Sequence, residues 1–314
     1  NDLRHKIMNI FNGVTQFSIP DRTVVTFGKF DGIHMGHMAL INTAGRIARE
    51  QGYKLAVFTF DVPPTLHFEK FEATQITTNY EKRKMFADAG VDYLVEYPFN
   101  ENTASMEPLE FIRKVISGNL NAAHVVVGSD WHFGKDRSGN CDVLMAAQKL
   151  YNYEVHIVEK EKFEQREISS TWIREEIQLG NMENVNILLG YPYMIIGNVE
   201  EGRHLGKEMG FATVNIYPSP EKLLPPYGVY ASKVIVDGEE YYAITNIGVR
   251  PTFNDSQRVS VETHLLNHDE DLYGHEIRVE LMHFERPEIK FDTVDKLVSQ
   301  VEADIEFTKT FFLL

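Results

Sequence analysis

The stretch Thr23-Val24-Val25-Thr26-Phe27-Gly28-Lys29-Phe30-Asp31-Gly32-Ile33-His34-Met35-Gly36-His37 joins a β-type run to a helix-forming one through a glycine-bearing turn. Two imidazoles flanking a glycine at the start of a helix suit a triphosphate. First-turn N–H groups and the helix dipole attract anions, and a glycine lets phosphate come close to the backbone. His34 and His37 can then donate hydrogen bonds to oxygens that gain charge during group transfer. A surface turn with incidental histidines is the competing reading, and the strand–turn–helix setting counts against it.

Around this stretch the first half alternates β-type runs with helical ones. Strands are expected over 23–27, 54–60, 93–98, 124–128 and 153–158, and helices over 36–50, 80–89, 108–118 and 142–150. Such alternation predicts βαβ units and a doubly wound parallel sheet of Rossmann-like type. Ligands of such sheets sit beyond the carboxyl ends of the strands, so His34, His37, Asp61 and Asp130 should share one edge. Two short helices follow, over 171–179 and 182–189. Past Gly190-Tyr191-Pro192 the pattern changes to six short β-type runs, 193–199, 211–216, 229–236, 241–247, 259–266 and 276–284, punctuated by glycine and proline. These predict a small closed or nearly closed antiparallel barrel, followed by a helix over 293–312. The domains are placed at 1–188 and 189–314.

Composition narrows the class. A chain of 314 residues is long enough for two cores, and 43% hydrophobic with 25% charged residues describes a globular protein. A formal net charge of −15 argues against a nucleic-acid partner, whose grip would rest on Lys and Arg. No apolar run approaches the roughly 20 residues of a membrane helix, so no membrane is expected. The start, Asn1 to Lys6, lacks the apolar core of a signal peptide, and it lacks an initiator Met, so residues are expected ahead of it. The single cysteine, Cys141, rules out an internal disulfide and fits a reducing cytoplasm.

Further motifs stand at strand and helix ends. Gly128-Ser129-Asp130-Trp131-His132-Phe133-Gly134 reads either as an ordinary turn or as a purine pocket, with aromatics against the base and Asp130 on a polar edge. Ile168-Ser169-Ser170-Thr171-Trp172-Ile173-Arg174 reads as a plain N-cap or as a pyrophosphate clamp, bidentate recognition being suited to arginine. In the second half, Gly206-Lys207-Glu208-Met209-Gly210-Phe211-Ala212-Thr213-Val214-Asn215 is either a glycine-rich hairpin or a phosphate loop running into a strand. Glu262 lies in the alternating run Val261-Glu262-Thr263-His264, as an exposed carboxylate or as a base.

In this order the segments resemble the prokaryotic riboflavin kinase/FAD synthetase family over nearly the whole chain. The resemblance implies an FAD synthetase that transfers AMP from ATP to FMN, releasing pyrophosphate, with Mg²⁺ as cofactor and small-molecule substrates. It implies His34, His37 and Arg174 as catalytic residues. Phe27, Gly28, Phe30, Asp31, Gly36, Gly128, Asp130, Ser169, Ser170 and Thr171 would bind ATP, and Phe60, Asp61 and Pro63 would lie near the flavin. For the barrel it implies riboflavin kinase chemistry, with Gly206, Lys207, Gly210, Thr213 and Asn215 on ATP, Thr213 and Asn215 on Mg²⁺, and Glu262 as the base. The family's Phe-Asp-Pro-His-Pro-like segment is here Phe60-Asp61-Val62-Pro63-Pro64. Its Gly-Arg-Thr-Leu-Gly-Phe-Pro-Thr-Ala-Asn loop has changed at Lys207, Glu208, Ala212 and Val214. These changes predict weak or absent riboflavin phosphorylation. Other readings are a fully bifunctional riboflavin kinase/FAD synthetase, another HxGH nucleotidyltransferase, which leaves the barrel unexplained, and a non-catalytic flavin or nucleotide regulator, which the intact His34, His37 and Arg174 disfavour.

Overall fold

The computed structural model describes residues 7–61, 74–200, 211–251, 257–268 and 271–314. By its internal contacts the chain divides into Asn1–Ser169 and Ser170–Leu314.

The first unit is built on a six-stranded parallel sheet. Its strands are β1 (Asn9–Asn12), β2 (Thr23–Phe27), β3 (Lys54–Phe60), β4 (Tyr93–Tyr97), β5 (Ala122–Gly128) and β6 (Glu154–Val158). They lie in the order β1-β4-β3-β2-β5-β6. The central strand β2 is buried at every residue, as a strand covered on both faces must be. One face packs Val25, Phe27, Phe58 and Val125 against Phe111, Ile112 and Ile116. The other packs Val24, Val57 and Val126 against Leu40, Ile41 and Ala44 of α1 (Met35–Gln51). Helix α2 (Asn79–Asp88) starts on a capping box in which Thr78 and Glu81 satisfy each other's backbone N–H. Further along come α3 (Glu101–Ala104) and α4 (Pro108–Phe111), and α4 continues as a π-helical stretch over Ile112–Asn119. Helix α5 (Cys141–Tyr151) is capped by Asn140, and the short pair β7 (Lys162–Phe163) and β8 (Arg166–Glu167) follows β6.

The second unit opens with α6 (Ser170–Leu179) and α7 (Met182–Leu189). Six antiparallel strands follow: β9 (Tyr193–Asn198), β10 (Val214–Ile216), β11 (Gly228–Val236), β12 (Glu239–Pro251), β13 (Gln257–Leu265) and β14 (Glu276–Pro287). They run in the order β10-β13-β12-β11-β14-β9. The two outer strands approach each other through a bridge between Glu200 and Asn215, with the Glu200 N–H donating to Asn215 O at 2.9 Å. The expected barrel is therefore nearly closed. Its inner face carries Val261, Ile247, Val279 and Leu281, all buried, together with a hydroxyl ladder. Ser232 Oγ lies 2.7 Å from Thr245 Oγ1, which lies 2.9 Å from Thr263 Oγ1. Helix α7 packs on β14 and on α6: Asn186 Nδ2 donates to Leu281 O at 3.0 Å, and Glu183 pairs with His283. Helix α8 (Val294–Phe312) is tied to the same strand by a bidentate pair, Arg286 Nε to Asp304 Oδ1 at 2.9 Å and Nη2 to Oδ2 at 2.5 Å.

Candidate active sites

Strands β3, β2 and β5 are neighbours, so their carboxyl ends bring Asp61, the Gly28–His37 turn and Gly128–Asp130 to one edge of the sheet. His34 is the residue before α1, with extended backbone and no side-chain cap of its own. Its ring stacks on that of His37, with centroids 3.8 Å apart and planes 22° apart. Phe30 packs beneath, 5.1 Å from His37 and 5.4 Å from Phe86.

The motif's glycines make room for these rings. A Cβ on Gly28 would lie 3.0 Å from the Phe30 ring, and one on Gly36 would lie 3.3 Å from Cε1 and Nδ1 of His34. The turn itself is strained, since Phe30 (φ 48°) and Ile33 (φ 35°) sit in left-handed backbone that such side chains resist. Burial holds them: Phe30 is 0% and Ile33 1% exposed. Two hydrogen bonds tie the turn to the segment before α2, Gly32 N–H to Thr77 Oγ1 at 3.0 Å and Ile76 N–H to Asp31 Oδ1 at 2.8 Å.

The electrostatics keep both imidazoles neutral. Burial pulls the His34 pKa down to about 4 against a smaller opposing pull from Asp31. His37 is also held well below its ordinary value, first by burial and then by His34 and Lys82. His37 keeps some accessible surface, and its Nδ1 is buried. Neither Nδ1 has a hydrogen-bond partner among the described residues. An unpaired buried N–H costs more than an unpaired acceptor, so the assigned tautomer places the proton on Nε2. Each ring then offers Nε2–H to a ligand. Lys82, a buried cation from α2, escaped the sequence reading because it belongs to no motif.

The other expected residues fall as follows. The Phe27 side chain is buried against Phe58 and Trp131, and its backbone is paired with Phe58 in the β2–β3 ladder. Asp130 is exposed and paired with Lys160 at 3.0 Å. Trp131 and Phe133 stack on each other, and Phe133 is buried beside Phe111, so that aromatic is spent on the core. Asp61 Oδ1 accepts the Phe99 N–H at 3.1 Å, and Phe60 packs edge-on against Phe99. Pro63, Gly206, Lys207 and Gly210 lie outside the described residues. Ser169 precedes α6, and Ser170, Thr171 and Arg174 form its first turns. In the same helix Trp172 Nε1 donates to Glu176 Oε1 at 2.9 Å, a local role that accounts for the tryptophan.

In the barrel, Asn215 on β10 stands directly opposite Glu262 on β13, and Glu262 stands opposite Asn246 on β12. Directly opposed residues share a face with Cβ atoms about 5 Å apart. Asn215 is 3% exposed, and its Oδ1 has no hydrogen-bond partner among the described residues. A buried, unpartnered amide oxygen beside a carboxylate is the donor chemistry a hard cation such as Mg²⁺ takes. The residues present therefore fit that ion. The segment before β10 is fixed to β13, with His264 Nδ1 2.8 Å from Ala212 O.

A doubly wound sheet bearing a stacked HxGH pair, joined to a six-stranded antiparallel barrel, defines a nucleotidyltransferase-type domain coupled to a second, barrel-borne module. Family models place residues 16–172 in FAD synthetase and 189–312 in riboflavin kinase. Similar curated proteins are the bifunctional riboflavin kinase/FMN adenylyltransferases of Listeria monocytogenes (36% identical, covering 92% of each chain) and Bacillus subtilis (37%, 90% of each). The Escherichia coli K12 counterpart is 33% identical over 92% of each chain. A solved Streptococcus pneumoniae structure described as a macrolide-efflux protein superposes with a TM-score of 0.85 at 31% identity, covering 96% of this chain and 99% of that one. No helix among the described residues is long and apolar enough to cross a membrane. The chain belongs to the bifunctional riboflavin kinase/FMN adenylyltransferase family and is an enzyme of that kind. The relatives carry both activities in their names, which lends no support to a silenced kinase.

Proposed function

We propose that the first domain adenylylates FMN. An FMN phosphate oxygen attacks the α-phosphorus of ATP, the bond to the bridging oxygen breaks, and pyrophosphate leaves with that oxygen. The work is alignment and charge neutralisation, with no covalent enzyme intermediate. The observation that carries this reading is the stacked, neutral His34–His37 pair at the start of α1. Both rings offer Nε2–H where the first-turn N–H groups and dipole already favour an anion. Gly28 and Gly36 seat the rings, and Lys82 adds positive charge. The family resemblance assigns Ser169, Ser170, Thr171 and Arg174 to the departing phosphates, Gly128 and Asp130 to the adenosine, and Phe60, Asp61 and Pro63 to the flavin. Mg²⁺ bound to the phosphates supplies charge neutralisation. Incubation with Mg²⁺, ATP and FMN, followed by chromatographic separation of flavins, should yield FAD; its absence across several Mg²⁺ concentrations and flavin redox states rejects the reading.

The register opposition of Asn215 and Glu262 favours a second activity, riboflavin phosphorylation in the barrel. Glu262 takes the proton of the ribityl hydroxyl as that oxygen attacks the γ-phosphorus of ATP. Thr213 and Asn215 would hold Mg²⁺, which neutralises the phosphate charge there. Ala212 gives up the fixed φ of a proline, and Val214 puts a β-branch between the two metal-side residues, so this step is the slower of the two. Glu262→Gln should abolish FMN formation from riboflavin and leave FAD formation from FMN intact. Retained phosphorylation would remove Glu262 as the base.

A further inference from the structure

Toward the amino-terminal ends of β5 and β6, away from the HxGH edge, lies a cluster of ligating side chains that the transfer chemistry does not use. His124 pairs in register with Glu154, and His156 follows two residues on, so all three project from neighbouring positions of one ladder. His124 Nδ1 lies 3.0 Å from His156 Nε2 and 3.6 Å from Glu154 Oε2. The three ligand atoms all lie within 4.8 Å of one another. His124 is buried, His156 half-buried, and the Glu154 side chain 72% exposed. Tyr53 covers the His124 ring at 5.8 Å.

We propose that His124, Glu154 and His156 form a site for a borderline transition-metal ion, Zn²⁺ foremost. Two imidazoles and a carboxylate favour such an ion over Mg²⁺, which takes oxygen donors. Tetrahedral coordination at about 2.0–2.1 Å sets donor atoms about 3.3 Å apart, so the His124–His156 and His124–Glu154 spacings need only tenths of an ångström of adjustment, and the exposed Glu154 side chain can swing toward His156. Glu154 supplies an anionic oxygen from the solvent side, and water completes the fourth position. The proton now shared between the rings moves to the far nitrogen of its own ring as the ion takes its place.

The surroundings favour neutral imidazoles, the form that binds metal. Burial, then His156, lowers the His124 pKa, with Glu154 opposing and Arg22 assisting. Burial lowers that of His156, with Glu154 opposing and Arg46 assisting. Both guanidiniums are engaged elsewhere. Arg22 donates to Asn121 Oδ1 at 3.2 Å and Asn152 O at 3.0 Å, and Arg46 pairs with Glu50 at 3.1 Å. An ion here would staple β6, the edge strand, to β5, which makes the site structural and separate from the Mg²⁺-dependent chemistry.

The test is calorimetric titration of the tag-free, chelator-stripped full chain with ZnCl₂, with CoCl₂ and visible absorption as a check on geometry. The wild type should bind Zn²⁺ with a stoichiometry that falls by one ion per chain in His156→Asn. Glu154→Gln, a change at an exposed side chain that leaves the fold intact, should bind at least tenfold more weakly at that site. The Co²⁺ form should show the intense visible band of a tetrahedral ion, absent from His156→Asn. Wild-type protein that binds no Zn²⁺, or binding unchanged in both variants, overturns the proposal. That second outcome would assign the ion to other histidines, such as His34 and His37.

Discussion

Replacing His34 by Asn should flatten the acid side of the stability profile of the first domain. Burial lowers the His34 pKa from 6.5 unfolded to about 4 folded. Between these values the unfolded chain binds a proton that the folded chain refuses, so stability is full above pH 6.5 and falls as pH drops toward 4. The displacement is worth about 3 kcal/mol in full, at about 1.4 kcal/mol per pH unit. Some two-thirds of it, about 2 kcal/mol, is lost between pH 8 and pH 5. His34 is 7% exposed, so solvent screening takes little from this figure. Asn keeps a polar group near the position of Nδ1 but does not titrate. His37 shifts in the same direction, so the variant keeps part of the slope. The chain has two tryptophans, Trp131 in the first unit and Trp172 in the second. In a Trp172→Phe background, Trp131 fluorescence therefore follows the first unit during urea unfolding. The fall in stability from pH 8 to pH 5 should be smaller by about 2 kcal/mol in His34→Asn than in its parent. Parallel profiles would mean that the imidazole is hydrated and that the stacked, desolvated pair does not exist in solution.

His37→Ala should lower the turnover for FAD formation on the order of 10²-fold while FMN affinity, read by flavin fluorescence, changes little, because the lost donor acts on developing charge. Asp304→Ala should destabilise the barrel by about 3 kcal/mol in thermal or urea unfolding, because it leaves the Arg286 guanidinium, whose side chain is 16% exposed, without its carboxylate. The double change Ala212→Pro with Val214→Ala should raise the rate of riboflavin phosphorylation several-fold without altering FAD formation; an unchanged rate would free those two positions of the blame.

The doubly wound sheet was legible because its inner strands are unbroken apolar runs. Thr23-Val24-Val25-Thr26-Phe27 can only be a strand covered on both faces, and the histidines then fall at its carboxyl end. Strand β1 was not legible. Asn9-Ile10-Phe11-Asn12 is short, sits at the sheet's edge and is exposed except for the half-buried Phe11, so no alternation marks it. The expected helix over 108–118 is real and buries Phe111, Ile112, Val115 and Ile116, but it passes from α-helix to π-helix at Ile112. The sequence pattern carries no mark of that change. The barrel's six strands were found because glycine and proline separate them. The opposition of Asn215 and Glu262 was not, because register between strands far apart in sequence is set by the fold.

The motif histidines show how site identity and site state come from different sources. On the proposed reading His34 and His37 bind phosphate, yet nothing in their spacing says whether they are charged. Their state follows from Phe30 and Ile33 held in left-handed backbone, from two glycines that let the rings stack, and from Lys82 arriving on another helix. Phe and Ile are poor choices for such backbone, so propensity gives no warning of the turn. The consequence is chemical. A permanent imidazolium pair would bind the ground-state triphosphate tightly, and it would be repelled by the helix dipole. Neutral donors gain most when charge accumulates on the transferring and leaving phosphates, so their contribution is weighted toward the transition state. On the proposed reading, the burial around these rings would act on catalysis through the protonation state it imposes on them.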